Sequence, residues 1–309
     1  MKKILMIGTG GTIASIPSED GFVPGLDAKA LSSMVPGLEE LAELDCLTIM
    51  DLDSSNICPK HWQLMAETLA ANYDKYDGFI FTHGTDTMCY SAAALSQMVR
   101  NCQKPVVFTG SQLTMGEENT DAKANIYLSV QVAASELKGV CIAFGDKVIN
   151  GLRAKKMCTE DFNGFWSINE ESLAKVEENK LVWRTLLGAG YGEGEFSVNT
   201  RLEEKVAIIK VTPGLDSRIL DYFIAAGYKG LILESYGAGG VPNADNNWLP
   251  ALEKTLAAGV RVVCATQCVY DGVHLDRYPI GILARRLGAE SGEYYNIEAL
   301  LPKLMLELA

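Results

Sequence analysis

The chain has only three histidines, and none of its eight cysteines forms a Cys-x-x-Cys pair. Zinc fingers and ribbons need several such ligands at short fixed spacing, so sites of that kind are excluded. There is no run of basic residues, and 27 Lys plus Arg stand against 39 Asp plus Glu, a formal charge of -12. That balance argues against a surface for a phosphate backbone or an anionic membrane. No apolar stretch approaches the roughly 18 residues needed to cross a bilayer. The opening run Ile4–Ile7 is too short for the core of a secretory leader, and no small-residue cleavage site follows it. These absences predict a cytoplasmic protein that binds neither nucleic acid nor membrane. Its cysteines, such as Cys141 in the apolar run Val140–Phe144, are expected as reduced, buried thiols.

What is present is a globular composition, 48% hydrophobic and 21% charged, which excludes a disordered or collagen-like chain. At about 150 residues per domain, 309 residues suggest two domains. Apolar runs alternate with segments of helical period. Strands are expected at Lys3–Gly8, Leu47–Leu52, Gly78–Thr82, Pro105–Gly110 and Val140–Phe144. Helices are expected at Asp27–Met34, Pro59–Tyr73, Thr87–Val99 and Asn125–Glu136. Strand–helix alternation with continuous apolar strands predicts a doubly wound, mostly parallel sheet. The pattern breaks where Gly188, Gly190, Gly192 and Gly194 cluster among glutamates, and it resumes at Val206. We therefore expect a larger N-terminal α/β domain over 1–185, a linker over 186–204 and a smaller C-terminal α/β domain over 205–309.

In open α/β sheets, ligands bind at the carboxyl ends of strands. The first strand ends in Gly8-Thr9-Gly10-Gly11-Thr12-Ile13. A dinucleotide fingerprint fails here, because Ile13 occupies the third glycine position and a long turn-rich loop follows. The glycines suit either a tight turn or a nest of amide N–H groups for an oxyanion or carboxylate. The third strand ends in Thr82-His83-Gly84-Thr85-Asp86-Thr87, where Asp86 or Thr87 could equally cap the next helix. Asp53-Ser54-Ser55-Asn56 and Thr109-Gly110-Ser111-Gln112 end two further strands. Lys155 and Lys156 follow the fifth strand, in a loop where lysines are usually solvated. His83 is the only histidine close to either glycine–threonine motif, which disfavours a His-based triad, and it reads as a structural residue.

Gly8–Ser15 and His83–Met88 together resemble the paired signatures of the bacterial L-asparaginase family, which uses a threonine nucleophile. The resemblance extends to Asp53–Asn56, Thr109–Gln112, the Lys156 segment and Ser235-Tyr236-Gly237-Ala238-Gly239, in order along the whole chain. Asp53-Ser54-Ser55 and the missing leader resemble the cytoplasmic type I branch. The resemblance implies hydrolysis of L-asparagine to L-aspartate and ammonia without metal or cofactor, with glutamine as a weaker substrate. It implies Thr12 as nucleophile, and Thr85, Asp86 and Lys156 as a second catalytic cluster. Gly11, Asp53, Ser54, Ser55, Thr85, Asp86 and Ser111 would bind the substrate, Asp86 taking its α-ammonium. It further implies a site shared between subunits, hence a homodimer or homotetramer. Lys156 would accept a proton through the Thr85 hydroxyl if burial neutralised it; Lys155 is the alternative lysine.

Three positions depart from the family pattern. Phe22 stands where a tyrosine is usual, Gly240 where asparagine is common, and Ala122 where glycine usually follows the aspartate. Residues 16–26, with Pro17, Gly21, Pro24 and Gly25, have the composition of a hinged lid bearing Phe22. Phenylalanine cannot relay a proton, which raises the alternative of a weakly active or non-catalytic asparagine-binding protein. An amidotransferase subunit for tRNA-dependent amidation shares the signatures. It usually carries an extra N-terminal domain, whereas here the first motif starts at residue 8.

Overall fold

The computed structural model describes residues 1–19, 21–185, 192 and 194–309. They form two compact units, Met1–Thr200 and Arg201–Ala309. Gly188 and Gly190, of the glycine cluster expected to mark the linker, lie outside the described residues. Within that same segment, Ser197–Val198 pairs antiparallel with Val99–Arg100 of the first unit.

Among the described residues, the first unit holds an eight-stranded sheet. Its spatial order is Lys180–Trp183, Ala174–Glu177, Lys147–Asn150, Gly139–Phe144, Pro105–Thr109, Gly78–Thr82, Lys3–Gly10, Glu43–Leu52. The five strands from Gly139–Phe144 to Glu43–Leu52 are mutually parallel. Gly78–Thr82 and Pro105–Thr109 are buried at every position. A strand covered on both faces must be apolar on both, which is why these segments read as unbroken apolar runs. Alternate residues serve opposite layers. Ile4, Met6, Ile80, Val107 and Cys141 pack with Leu31, Ile126 and Val130 from the helices Ala28–Ser33 and Ala122–Ala133. Phe81 stacks on Phe108 at 5.1 Å, and Phe79 on Tyr73, the residue that ends the helix Pro59–Asn72.

Three regions differ from expectation. The strand expected at Leu47 begins at Glu43; it lies at the sheet edge, where half-exposure weakens the apolar signal. Residues 16–26 carry regular structure that the lid expectation did not include: Ser15–Ser18 and Gly21–Pro24 form an antiparallel hairpin. Beyond Gly145 the sheet is extended by antiparallel strands, and Ala154–Lys156 pairs antiparallel with Phe165–Ser167. The second unit is a four-stranded parallel sheet, Val206–Lys210, Gly230–Ser235, Arg261–Thr266 and Glu290–Ser291. Its core gathers Ile209, Leu231, Leu233, Val262 and Cys264 around Trp248 and Leu252.

The chain runs from Lys3–Gly10 to its neighbour Glu43–Leu52 on one side, then crosses to Gly78–Thr82 on the other. This reversal is a topological switch point, and in open α/β sheets ligands generally bind outside the carboxyl ends of the strands at such a point.

Candidate active site

Two glycines bring the strand ends together. A Cβ on Gly11 would stand 2.3 Å from Gly84 Cα, and one on Gly84 would stand 2.7 Å from Ser54 Cβ. Gly11 also has φ +86°, a conformation that L side chains avoid. The segments carrying Thr12, Ser54 and Thr85 therefore touch, each within a residue of the contact. Thr12 opens a one-turn 3-10 helix, Thr12–Ala14, and is half-buried. The Gly11 carbonyl before it accepts from Ala14 N at 3.0 Å and Ser15 Oγ at 3.0 Å.

Lys156 Nζ donates to Thr85 Oγ1 at 2.8 Å and to Asp86 Oδ1 at 2.7 Å. The Lys156 side chain is 18% exposed and that of Asp86 65%. So exposed a pair contributes little to stability, and its importance is geometric. The strand Ala154–Lys156 explains which lysine arrives. Successive strand residues face opposite ways, so Lys155 and Lys156 cannot both reach Thr85. The structure brings Lys156 there.

The other expected site residues make local hydrogen bonds. Asp53 Oδ1 accepts from Ser55 N at 2.7 Å and Ser55 Oγ at 2.5 Å, capping the Ser54–Asn56 turn. The Ser55 hydroxyl, and then its amide, hold the Asp53 carboxyl below the usual carboxylate range. Ser54 is buried, and its carbonyl accepts from Thr87 Oγ1 at 2.7 Å. Ser111 is buried, and its hydroxyl donates to Leu113 O. The Phe22 side chain lies outside the described residues. In the second unit, a Cβ on Gly240 would stand 2.6 Å from Ile280 Cγ2, so any side chain there requires Ile280 to move.

His83 is fully buried and tied on both ring nitrogens. Nδ1 lies 2.7 Å from Gly84 O, which can only accept, so Nδ1 carries the proton. Nε2 then accepts from Ser91 Oγ at 2.9 Å, and Ser91 Oγ accepts from Trp62 Nε1 at 3.0 Å. The neutral imidazole thus fixes the Gly84 peptide, one residue before Thr85. Burial pushes His83 down to about 4, against the opposing pull of its bond to Gly84 O. The folded value lies below the unfolded one of about 6.5, so the contribution is whole above that pH and is lost as pH falls towards 4. We expect the stability gap between wild type and His83→Gln to narrow by about 2–3 kcal/mol from pH 7.5 to 4.5 in urea titrations. A gap independent of pH would mean that the folded protein protonates His83 readily.

Sequence reasoning missed Trp62 and Ser91, and also Asp121 and Asn125. Asp121 accepts from Gln112 N at 2.9 Å, and Asn125 donates to Gly110 O at 2.9 Å. The one available signal was an Asp/Asn pair spaced i, i+4 after a strand end, which reads equally well as an ordinary helix start. Among the described residues, no group of three His, Cys, Asp or Glu is placed to hold a metal, and no helix is long and apolar enough to cross a membrane.

Residues 3–187 match the family described as "Asparaginase, N-terminal", and residues 205–309 match "Glutaminase/Asparaginase C-terminal domain". An L-asparaginase of Thermococcus kodakarensis is 38% identical over 99% of this chain and 92% of its own length. A glutamyl-tRNA(Gln) amidotransferase subunit of Pyrococcus abyssi is 36% identical over 99% of this chain and 72% of its own length. The solved structure described as the thermostable L-asparaginase from Thermococcus kodakarensis superposes with a TM-score of 0.91 at 37% identity. That superposition covers 99% of this chain and 92% of the other. With both halves matched in order and full-length relatives above a third identical, this chain belongs to the asparaginase family.

Proposed function

We propose that the chain hydrolyses L-asparagine to L-aspartate and ammonia, with Thr12 as nucleophile and glutamine as a poorer substrate. The observation that carries this reading is the Lys156 amine shared between Thr85 Oγ1 and Asp86 Oδ1, beside the Gly11–Gly84 contact. A threonine hydroxyl attacks an amide only when its proton has somewhere to go. The Thr85 hydroxyl and the Lys156 amine form such a path. The substrate's α-ammonium takes the Asp86 carboxylate. In the first step the Thr12 Oγ–carbonyl bond forms, the C–N bond breaks, and ammonia leaves with the proton removed from Thr12. In the second, water attacks the ester, Thr12 regains its proton and aspartate departs. The α-carboxylate goes to Ser54 and Ser55, which requires the Ser55 hydroxyl to leave Asp53.

The reading includes a cytoplasmic homodimer or homotetramer, whose mass light scattering gives. Coupled ammonia release from purified protein with free L-asparagine and L-glutamine tests the activity. No ammonia from either would end the reading in favour of an asparagine-binding protein, whereas glutamine hydrolysed only with partner subunits would favour the amidotransferase subunit. Asp86→Asn is expected to raise KM for asparagine roughly ten- to a hundredfold, because a charge-assisted hydrogen bond of about 1.5–3 kcal/mol is lost. Steady-state kinetics check it, and an unchanged KM would reduce Asp86 to a helix-terminal residue.

A further inference from the structure

We propose that Gln112 is a positioning residue for Lys156. The inference rests on the asparaginase reading for its kinetic consequence, but its structural basis is independent of it. Lys156 ends a strand of three residues paired to another of three, Ala154–Lys156 with Phe165–Ser167. Two such short strands are marginal alone, so a hairpin that must hold an amine within hydrogen-bonding distance needs an outside tether.

Gln112 supplies one. Its side-chain amide donates to Asp161 O at 3.1 Å, in the connection between the two strands. The same Nε2 stands 3.0 Å from where a Cβ on Gly164 would be, so it packs against the point at which the connection closes. Gly164 O in turn accepts from Met157 N at 2.7 Å, the residue after Lys156. The backbone of Gln112 is itself fixed. Its N–H donates to both carboxylate oxygens of buried Asp121, at 3.1 and 2.9 Å, and Leu113 N donates to Asp121 Oδ1 at 3.1 Å. Asn125 Nδ2 holds Asp121 Oδ2 at 3.0 Å, while Asn125 Oδ1 accepts from Gly145 N at 2.9 Å. One residue on, Asp146 N donates to Asn163 Oδ1 at 2.9 Å, a second tether on the same connection. The ends of two central strands thus grip the loop behind Lys156, and Gln112 is the side chain that reaches it from the Ser111 turn.

Gln112→Met keeps length and packing and removes the donor. Two readouts are taken. Brief acetylation of the substrate-free protein, with exposed Lys60 as internal standard, is followed by mass spectrometry at Lys156. Steady-state kinetics are measured on L-asparagine. A several-fold rise in Lys156 labelling, with kcat down about tenfold and KM within about twofold, is expected, since a loosened base costs the chemical step rather than binding. Unchanged Lys156 labelling overturns the proposal, and so does increased labelling with wild-type kcat. If the wild type releases no ammonia, the asparaginase reading fails, and labelling alone decides whether Gln112 positions Lys156.

Discussion

Thr12→Ala is expected to lower ammonia release from L-asparagine by several orders of magnitude and to leave thermal unfolding within a few degrees of wild type. The two halves of this expectation have separate grounds. The turn at Thr12 is held by backbone and by neighbours: Ala14 N and Ser15 Oγ on the Gly11 carbonyl, and Ser15 N on the Thr12 carbonyl. Packing beneath it comes from Ile13 and Ala14, both buried. The half-buried Thr12 side chain can therefore be shortened at small cost. Activity has no such reserve, because without the hydroxyl no acyl intermediate forms on this residue. Removing a nucleophile collapses a catalytic unit as a whole rather than by a share. Thr12→Ser should keep a measurable fraction of turnover. Ammonia release near the wild-type rate in Thr12→Ala would transfer the nucleophile's role elsewhere, with Thr85, on the adjoining segment, the first alternative.

How much of this is legible in the sequence follows from where each feature draws its energy. Gly78–Thr82 and Pro105–Thr109 are strands because both their faces are buried, and a doubly buried strand announces itself as an apolar run. The edge strand Glu43–Leu52 is half-exposed along most of its length, and only its second half carries a signal. The antiparallel extension past Gly145 is silent: Lys147–Asn150, Ala174–Glu177 and Lys180–Trp183 are four residues each, too brief for periodicity to speak. In the candidate site, the strand-end glycines and hydroxyls leave turn, cap and anion-nest readings open, and only the resemblance to the paired family signatures singles out Thr12, Ser54, Thr85 and Asp86. The buried network of Trp62, Ser91 and His83 is not, since its bonds join residues 8 and 29 positions apart whose spacing carries no local pattern. His83 reads as structural in the sequence only by elimination, not from its partners.

The pair Lys155 and Lys156 shows where sequence reasoning needs geometry, and it supports the second large expectation. As neighbours in a loop-like stretch they are equivalent on chemistry alone. The strand Ala154–Lys156 separates them: paired opposite Trp166 and Phe165, they face opposite sides of the hairpin. Lys156→Met is therefore expected to cut turnover by about 10²–10⁴-fold, the usual range for a positioned general base. Lys155→Met should stay within a few-fold of wild type. Methionine keeps the apolar stem of a side chain that is 18% exposed, so the hairpin should survive. What disappears is the donor on Thr85 Oγ1 and the cation on Asp86 Oδ1. The second loss separates base from counterion. If Lys156 serves only to neutralise Asp86, the double variant Lys156→Met with Asp86→Asn should recover turnover at the raised KM of Asp86→Asn. If it accepts the proton, the double variant stays at the low turnover of Lys156→Met, and a small primary amine added to Lys156→Ala restores part of it. Equal damage from Lys155→Met and Lys156→Met would show that the hairpin's fold, and not the reach of one amine to Thr85, limits the reaction.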